Sequence, residues 1–256
     1  MDWPAGTFSL ALDLELSADG RPWLPVSVDG NVPVPFLLQA SAGAIAVTGA
    51  RAAGFGPAGV GRITLQDGLL PGIPGGLFVR QRRLALDALV LGDQSLLLVD
   101  AADWPHGQPR RGAAGVLGYD LLRRFVVELD VPGRRLTLYR AHALDVSGLP
   151  DSQRLAVLGR TPYFEAWLDA TDASGRWLRL QFEPGDPVGI CLDAAPPAGA
   201  VIIAGQRIEL ADAPCAAAPG ARGAAGRDGV FGAGALQALV AVIDYPAGRI
   251  AFRAPD

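Results

Sequence analysis

The sequence contains no lysine, so all 22 basic residues of the 256-residue chain are arginine. Schiff-base chemistry on a lysine side chain needs a lysine, and so does a Walker-type phosphate-binding loop. Both kinds of site are therefore excluded.

Cysteine and histidine are nearly as scarce, with two residues of each. Neither histidine lies at ligand spacing from Cys191 or Cys215, so we expect no zinc site, and we expect no other cofactor. The net charge of −4 gives no reason to expect nucleic acid as a partner. No apolar run reaches the roughly 18 residues that a membrane span requires, so no membrane is expected either.

The N-terminal segment lacks the basic region and the continuous apolar region of a signal peptide. Unless such a signal has been removed, we expect a cytoplasmic protein, present as a monomer or weak dimer. In that compartment two buried free thiols are favoured over a disulfide between Cys191 and Cys215, although the sequence leaves both open.

What the chain has in quantity is glycine and proline, 33 and 21 residues, which favours an all-β fold with many turns and only short helices. One segment also occurs twice, as GVLG at 115–118 and as GVFG at 229–232. Each copy continues into a predicted short helix, a strand, a turn containing proline and glycine, and a closing strand. An internal repeat of this kind predicts two similar lobes with a cleft between them.

The pattern of apolar residues and turns predicts a first lobe over residues 1–144, a linker over 145–153 and a second lobe over 154–256. The predicted strands are 7–16, 24–28, 34–38, 44–48, 62–65, 77–91, 95–99, 154–157, 163–170, 177–182 and 188–192.

The repeated Gly-apolar-apolar-Gly unit resembles the closing part of an aspartic protease lobe, as found in retropepsins and pepsins. The resemblance covers nearly the whole chain and implies a two-lobed, pepsin-like fold. In that family each lobe carries a catalytic aspartate in an Asp-Thr/Ser-Gly loop that follows an apolar strand. Here the strand at 35–38 leads to Gln39, and the strand at 178–182 leads to Glu183, so both aspartate positions are substituted.

Peptide hydrolysis in this family needs two carboxylates that share a proton. The amide of Gln39 cannot exchange protons near neutral pH, and Glu183 is one methylene longer than aspartate. Conventional proteolysis is therefore not expected.

Several residues near these positions are candidates for a different chemistry. Glu183 is either a solvated residue of a Pro-Gly turn or a cleft acid that acts alone, with Asp186 or with Asp228. Asp186 can equally cap its loop. Gln39 and Ser41 either satisfy the backbone of a tight loop or recognise a ligand through their polar groups.

The spacing from Gln39 to Gly115 is 76 residues, about thirty more than in the second copy. The additional segment includes the apolar, glycine-rich stretch 68–78, which resembles the flap that closes over the ligand in this family. It is otherwise an ordinary surface hairpin. The predicted ligand-binding residues of the flap are Ile73, Gly75, Gly76, Phe78 and Arg80.

Strand alternation would place Arg80 and Arg82 on one face and Arg83 on the other. These arginines form either a solvated sheet edge or a site for an anionic ligand.

Two functions are compatible with these residues. One is a non-proteolytic enzyme that binds a small organic molecule in the cleft and converts it by single acid or base catalysis, such as cyclisation, isomerisation or elimination. The other is an inactive pseudo-protease that binds an extended peptide or protein partner. The fold alone does not choose between them.

Overall fold

The computed structural model describes residues 1–48, 59–64, 75–99, 114–170, 175–194, 199–215 and 226–255. The described chain is mostly β, as expected. Its strands, in chain order, are β1 (Ser9–Asp13), β2 (Glu15–Leu16), β3 (Pro22–Val28), β4 (Val34–Leu38), β5 (Ile45–Thr48), β6 (Gly59–Thr64), β7 (Gly75–Leu86), β8 (Leu89–Val99), β9 (Gly115–Leu117), β10 (Phe125–Asp130), β11 (Arg135–Arg140), β12 (Gln153–Arg154), β13 (Ala156–Leu158), β14 (Thr161–Ala170), β15 (Arg176–Phe182), β16 (Ile190–Leu192), β17 (Gly199–Ile203), β18 (Gln206–Glu209), β19 (Gly229–Phe231), β20 (Val240–Asp244) and β21 (Arg249–Arg253).

Helix is confined to short pieces. The described residues include one α-helix of four residues, α1 (Tyr119–Leu122), directly after the first GVLG copy. After the second copy, the corresponding position holds a 3₁₀ turn, Ala235–Gln237. No helix in the described part of the chain is both long and apolar enough to cross a membrane.

The strands form three sheets. The first sheet has eight strands in the order β2-β3-β4-β9-β5-β8-β7-β6. The second sheet has seven strands, in the order β16-β19-β15-β14-β17-β18, with β13 paired to β14. A third sheet, in the order β1-β11-β10-β20-β21-β12, takes strands from both copies of the repeat. Its central pair, β10 and β20, runs antiparallel and ties the copies together. We call this third sheet the shared sheet.

The core is continuous across these sheets. One cluster of buried apolar side chains reaches from the first sheet through the shared sheet into the second. In the second sheet Phe164 packs edge-on against Phe231, with ring centroids 5.3 Å apart, and Phe231 also contacts Phe252 of the shared sheet. The sequence did not predict the shared sheet, because pairing between β10 and β20 joins residues more than a hundred positions apart.

Three predicted strands are divided in the structure. The strand expected over 154–157 becomes β12 in the shared sheet and β13 in the second sheet. The strand expected over 7–16 becomes β1 in the shared sheet and β2 in the first sheet. The strand expected over 77–91 is split by a tight turn at Asp87, whose positive φ of 50° aspartate tolerates better than most residues. This turn joins β7 to β8 as a hairpin.

The linker predicted at 145–153 contains a 3₁₀ turn, Val146–Gly148, capped by the side chain of Asp145. Its role as a boundary between lobes stays a prediction.

The expectation of free thiols is wrong. Cys191, at the centre of β16, forms a disulfide with Cys215. The sequence spacing could not reveal this pairing, because the two cysteines are separated by the β17–β18 hairpin. Only after this hairpin does the chain come back beside β16, where the Cys215 N–H donates to the Leu192 carbonyl. Disulfides persist in oxidising compartments, so this bond does not indicate the cytoplasm that the N-terminal segment suggested.

Candidate active site at the meeting point of two equivalent loops

The first loop follows β4, which runs parallel to β9. The Gln39 N–H donates to the Leu117 carbonyl at 2.8 Å, and the Ala42 N–H donates back to the Gln39 carbonyl at 3.0 Å. The Ala42 carbonyl in turn accepts the Tyr119 N–H at 2.8 Å. These bonds hold residues 39–42 as a tight turn against the GVLG segment.

The second loop repeats this pattern after β15, which runs parallel to β19. The Glu183 N–H donates to the Phe231 carbonyl at 2.9 Å, and the Asp186 N–H donates to the Glu183 carbonyl at 3.0 Å. The Ala233 N–H donates to the Asp186 carbonyl at 2.7 Å. The hydrogen bonds therefore make Glu183 the structural counterpart of Gln39.

Glycine is required where each loop crosses its repeated segment. A Cβ added to Gly118 would overlap the Ala42 carbonyl oxygen and lie 2.6 Å from that of Gln39. A Cβ added to Gly232 would lie 2.7 Å from the Asp186 carbonyl oxygen. The final glycine of each GVxG copy thus permits a backbone approach that no other residue allows.

The two loops contact each other. The Ser41 N–H donates to Oε2 of Glu183 at 3.1 Å, across 142 residues of sequence. A Cβ at Gly185 would lie 3.1 Å from the Cβ of Gln39, so the backbone of the second loop packs directly on the Gln39 side chain. Arg160 adds a further link, because its guanidinium donates to the Gly43 carbonyl at 2.8 Å.

Glu183 is buried at this junction, with 5% of its surface exposed, and Ser41 is 2% exposed. Besides the bond from Ser41, the Gly185 N–H donates to Oε1 at 3.3 Å and the Gln181 amide lies 3.5 Å from Oε2. Burial raises the pKa of Glu183 from its ordinary 4.5 to about 7. The hydrogen bonds from Ser41 and Gly185 oppose this rise, and the nearby negative charge of Asp186 adds to it.

A carboxyl group with a pKa near 7 can both donate and accept a proton at neutral pH. This is the main chemical property of the junction. The interpretation of Glu183 as a solvated turn residue does not fit its burial.

Asp186 lies in the same loop and is half-buried. Its Oδ1 accepts the Val188 N–H at 3.1 Å, so this carboxylate caps the turn as the sequence allowed. It also lies close enough to Glu183 to affect the pKa of that residue.

Asp228 lies elsewhere. Its carboxylate pairs with the Arg176 guanidinium at 3.0 Å and accepts the Arg179 N–H at 2.9 Å. The Asp228 N–H also donates to the Arg179 carbonyl, so Asp228 lies beside Arg179. Arg179 is four residues before Glu183, which corresponds to about 13 Å along β15. The structure thus does not bring Asp228 to the junction.

The predicted flap residues that the structure describes lie on β7, which pairs antiparallel with β6. Ile73 is outside the described residues. Gly75 and Gly76 begin β7, and the Arg80 guanidinium lies 5.5 Å from the centre of the Phe78 ring.

A β-bulge at Gln81, which has a φ of 59°, interrupts the alternation on which the arginine prediction depended. Arg82 pairs instead with Asp29 at 3.0 Å. No contact among the described residues joins Phe78 or Arg80 to Glu183.

Four residues around Glu183 were not predicted from the sequence. Tyr245, directly after β20, is buried, and its hydroxyl has no hydrogen-bond partner among the described residues. Its pKa is raised by burial first and then by Glu183 and Tyr119, whose ring meets that of Tyr245 edge-on at 6.1 Å. The others are Gln181, Asp193 and Arg227. One sequence signal could have indicated Gln181: it is a polar residue two positions before Glu183, and residues at this spacing in an extended chain lie on the same face.

Comparison with solved structures identifies the architecture. An aspartic proteinase from Irpex lacteus superposes with a TM-score of 0.62 at 10% identity, covering 97% of this chain and 98% of that one. Basic 7S globulin from soybean gives a TM-score of 0.57 at 12% identity, covering 97% and 95%. Conglutin gamma, a basic 7S globulin from lupine seeds, gives 0.58 at 13%, again covering 97% and 95%. The chain has the pepsin-like aspartic protease fold.

No protein-family model and no curated protein matches the sequence. The pepsin-like fold is therefore established by structural similarity. The sequence identities to the solved structures are so low that they indicate the fold and nothing about function. What the protein does must be argued from its own residues.

Proposed function

We propose that this pepsin-like protein is not a protease, but an enzyme that converts a small organic molecule by single acid or base catalysis at Glu183. The observation that carries the proposal is the buried Glu183 carboxyl, with a pKa of about 7, at the loop position equivalent to Gln39. Reactions that fit one proton-transferring group are cyclisation, isomerisation and elimination.

The polar groups of the two loops argue against proteolysis. In the first loop, the position equivalent to Glu183 holds the neutral Gln39 amide. In the second loop, the Asp186 carboxylate is engaged by the Val188 N–H, and Asp228 is about 13 Å away along the strand. Within the described part of the chain, a shared-proton dyad thus has only one member at the junction.

Solvent exclusion supports acid or base catalysis over mere structural use of Glu183. A buried acid is costly to ionise without a cationic partner, so it is a poor choice for a position that serves only stability. The Glu183 carboxyl receives hydrogen bonds from the neutral N–H groups of Ser41 and Gly185, which order it and partly offset the effect of burial on its pKa.

One observation favours the alternative, a pseudo-protease that binds an extended peptide. β6 is one of the two outer strands of the first sheet among the described strands, and it pairs with β7, which carries the predicted flap residues. An outer strand offers free backbone groups to which a peptide can add as a further strand.

The two functions are separated by comparing wild type with Glu183→Gln and with a control, Glu209→Gln. Glu209 is an exposed glutamate in β18 that pairs with Arg207 and lies outside both loops. Each protein would be incubated with a panel of small organic acids, with a peptide library and with a small-molecule cell extract. Native mass spectrometry would then detect bound species and products.

Conversion of a small molecule by wild type and by Glu209→Gln, but not by Glu183→Gln, would support the enzyme. Peptide capture that is equal in all three proteins, without conversion, would refute it and favour the pseudo-protease.

A further inference from the structure

Four polar side chains, in β15 or near the ends of β15, β16 and β19, form a chain of contacts that ends on Glu183. The Arg227 guanidinium binds the Asp193 carboxylate through two bonds, from Nε at 2.9 Å and from Nη2 at 2.8 Å. Its Nη1 donates to Oε1 of Gln181 at 2.7 Å. The Gln181 Nε2 in turn lies 3.5 Å from Oε2 of Glu183. We call these four residues the relay.

The position of Arg227 explains how the relay is held. Its side chain is only 6% exposed, and it lies just before β19, while Asp193 directly follows β16. The Asp193 N–H donates to the Asp228 carbonyl at 2.8 Å, which fixes the carboxylate beside the guanidinium. A buried guanidinium that is held by two hydrogen bonds to one carboxylate has little freedom to rotate.

This arrangement determines the orientation of the Gln181 amide. A guanidinium can only donate hydrogen bonds, so the group that faces Arg227 must be the Gln181 oxygen. The amide nitrogen is then directed towards Glu183. Without Arg227 the amide could turn over, so that its oxygen would accept a hydrogen bond from the O–H of a neutral Glu183 and its nitrogen would no longer donate one to the ionised form.

We propose that Arg227 and Asp193 are positioning residues, which orient the Gln181 amide so that it stabilises the ionised form of Glu183. The catalytic meaning of this inference rests on the proposed function, but the orientation itself does not. The relay would keep Glu183 able to lose its proton despite its burial, and so available as a base.

Other groups also act on Glu183 and set the direction of the expected change. Asp186 in the same loop opposes ionisation, and the buried Tyr245 from the shared sheet lies within electrostatic reach. Tyr163, which pairs with Gln181 across β14 and β15, interacts with Arg227 and Asp193. None of these groups replaces the donor that Gln181 supplies, so its loss should raise the pKa of Glu183.

The test is a titration of Glu183 in protein carrying ¹³C-labelled glutamate carboxyls, followed by NMR and assigned by the signal lost in Glu183→Gln. The variants are Gln181→Leu, Arg227→Lys and the two combined. Lysine keeps the positive charge beside Asp193 but cannot hold a planar fork on two partners. Arg176→Lys, which alters an exposed ion pair with Asp228, is the control.

We expect each single variant to raise the pKa of Glu183 by about 0.5 to 1 pH unit, a roughly 3- to 10-fold gain in proton affinity. The double variant should show no larger rise than Gln181→Leu alone, because Arg227 acts only through that amide. Arg176→Lys should leave the pKa unchanged.

An unchanged pKa in Arg227→Lys, or fully additive effects in the double variant, would overturn the proposal. The titration needs no ligand and no turnover, so its outcome is independent of the proposed function. A protein that converts nothing but shows the non-additive shift would have the relay without the enzyme activity.

Discussion

Replacing Glu183 by glutamine should change how the stability of the protein depends on pH. Burial raises the pKa of Glu183 from 4.5 to about 7, so the folded protein holds this proton more tightly than the unfolded chain. The stabilising contribution of the protonated group is complete below pH 4.5 and is lost as the pH rises through 7. A difference of about 2.5 pH units corresponds to about 3 kcal/mol.

Glutamine does not ionise, so this loss is absent from Glu183→Gln. We therefore expect the free energy of unfolding of the variant, relative to wild type, to increase by about 3 kcal/mol between about pH 4 and pH 8. For a chain of this size, the relative Tm should rise by about 6 to 12 °C over the same range. Urea unfolding of both proteins at several pH values, with the disulfide intact, measures the difference.

The prediction concerns how the difference in free energy of unfolding between Glu183→Gln and wild type changes with pH, and not its size at one pH. Any constant effect of the substitution on hydrogen bonds to Ser41 and Gly185 cancels when two pH values are compared. Glu209→Gln should give a stability curve parallel to that of wild type. If the curve of Glu183→Gln is parallel as well, Glu183 ionises in the folded protein as it does in water, and both its burial and its proposed role are wrong.

Two further predictions test the loops. Gly118→Ala should destabilise the protein by about 3 kcal/mol, the upper end of the usual range for added volume in a packed interior, because the added Cβ meets backbone carbonyl oxygens. Gly92→Ala, at a position with open space, should have little effect in the same unfolding assay. Asp186→Asn should lower the pKa of Glu183, because it removes a neighbouring negative charge while an amide oxygen can still cap the turn. A ¹³C carboxyl titration measures it, and a pKa that stays at the wild-type value would show that the Asp186 charge does not reach Glu183.

The sequence was sufficient to predict the fold and the equivalence of the two loops. The GVxG copies depend on a backbone approach that only glycine allows, so their duplication at 115–118 and 229–232 carries direct structural information. The resemblance to aspartic proteases, in which the aspartate loop follows an apolar strand, then identified Gln39 and Glu183 as counterparts, and the hydrogen bonds of the two loops reproduce this equivalence.

The sequence could not predict which carboxylates share a site. Glu183, Asp186 and Asp228 are all near repeated elements in sequence, yet the parallel register of β15 and β19 separates Asp228 from the other two. Similarly, the bulge at Gln81 could not be predicted from alternation, because it depends on the pairing of β7 with β8. The relay combines side chains from three strands and their ends, and only the folded register brings those together.

The two loops share one backbone arrangement but differ in the polar groups that surround them. Gln181 in the second sheet corresponds to Leu37 in the first, and Leu37 packs in a small apolar cluster with Trp23 and Val116. Asp193, by its bond to the residue before the repeat, corresponds to Thr48.

The polar and charged side chains that could stabilise a titrating group thus lie around the second loop, and the equivalent positions around the first loop do not hold them. An acid placed at the position of Gln39 would meet an apolar cluster two residues away, and it would lack the donor that Gln181 supplies to Glu183. This asymmetry is consistent with the proposed catalysis by a single carboxyl, which needs a polar environment around one loop only.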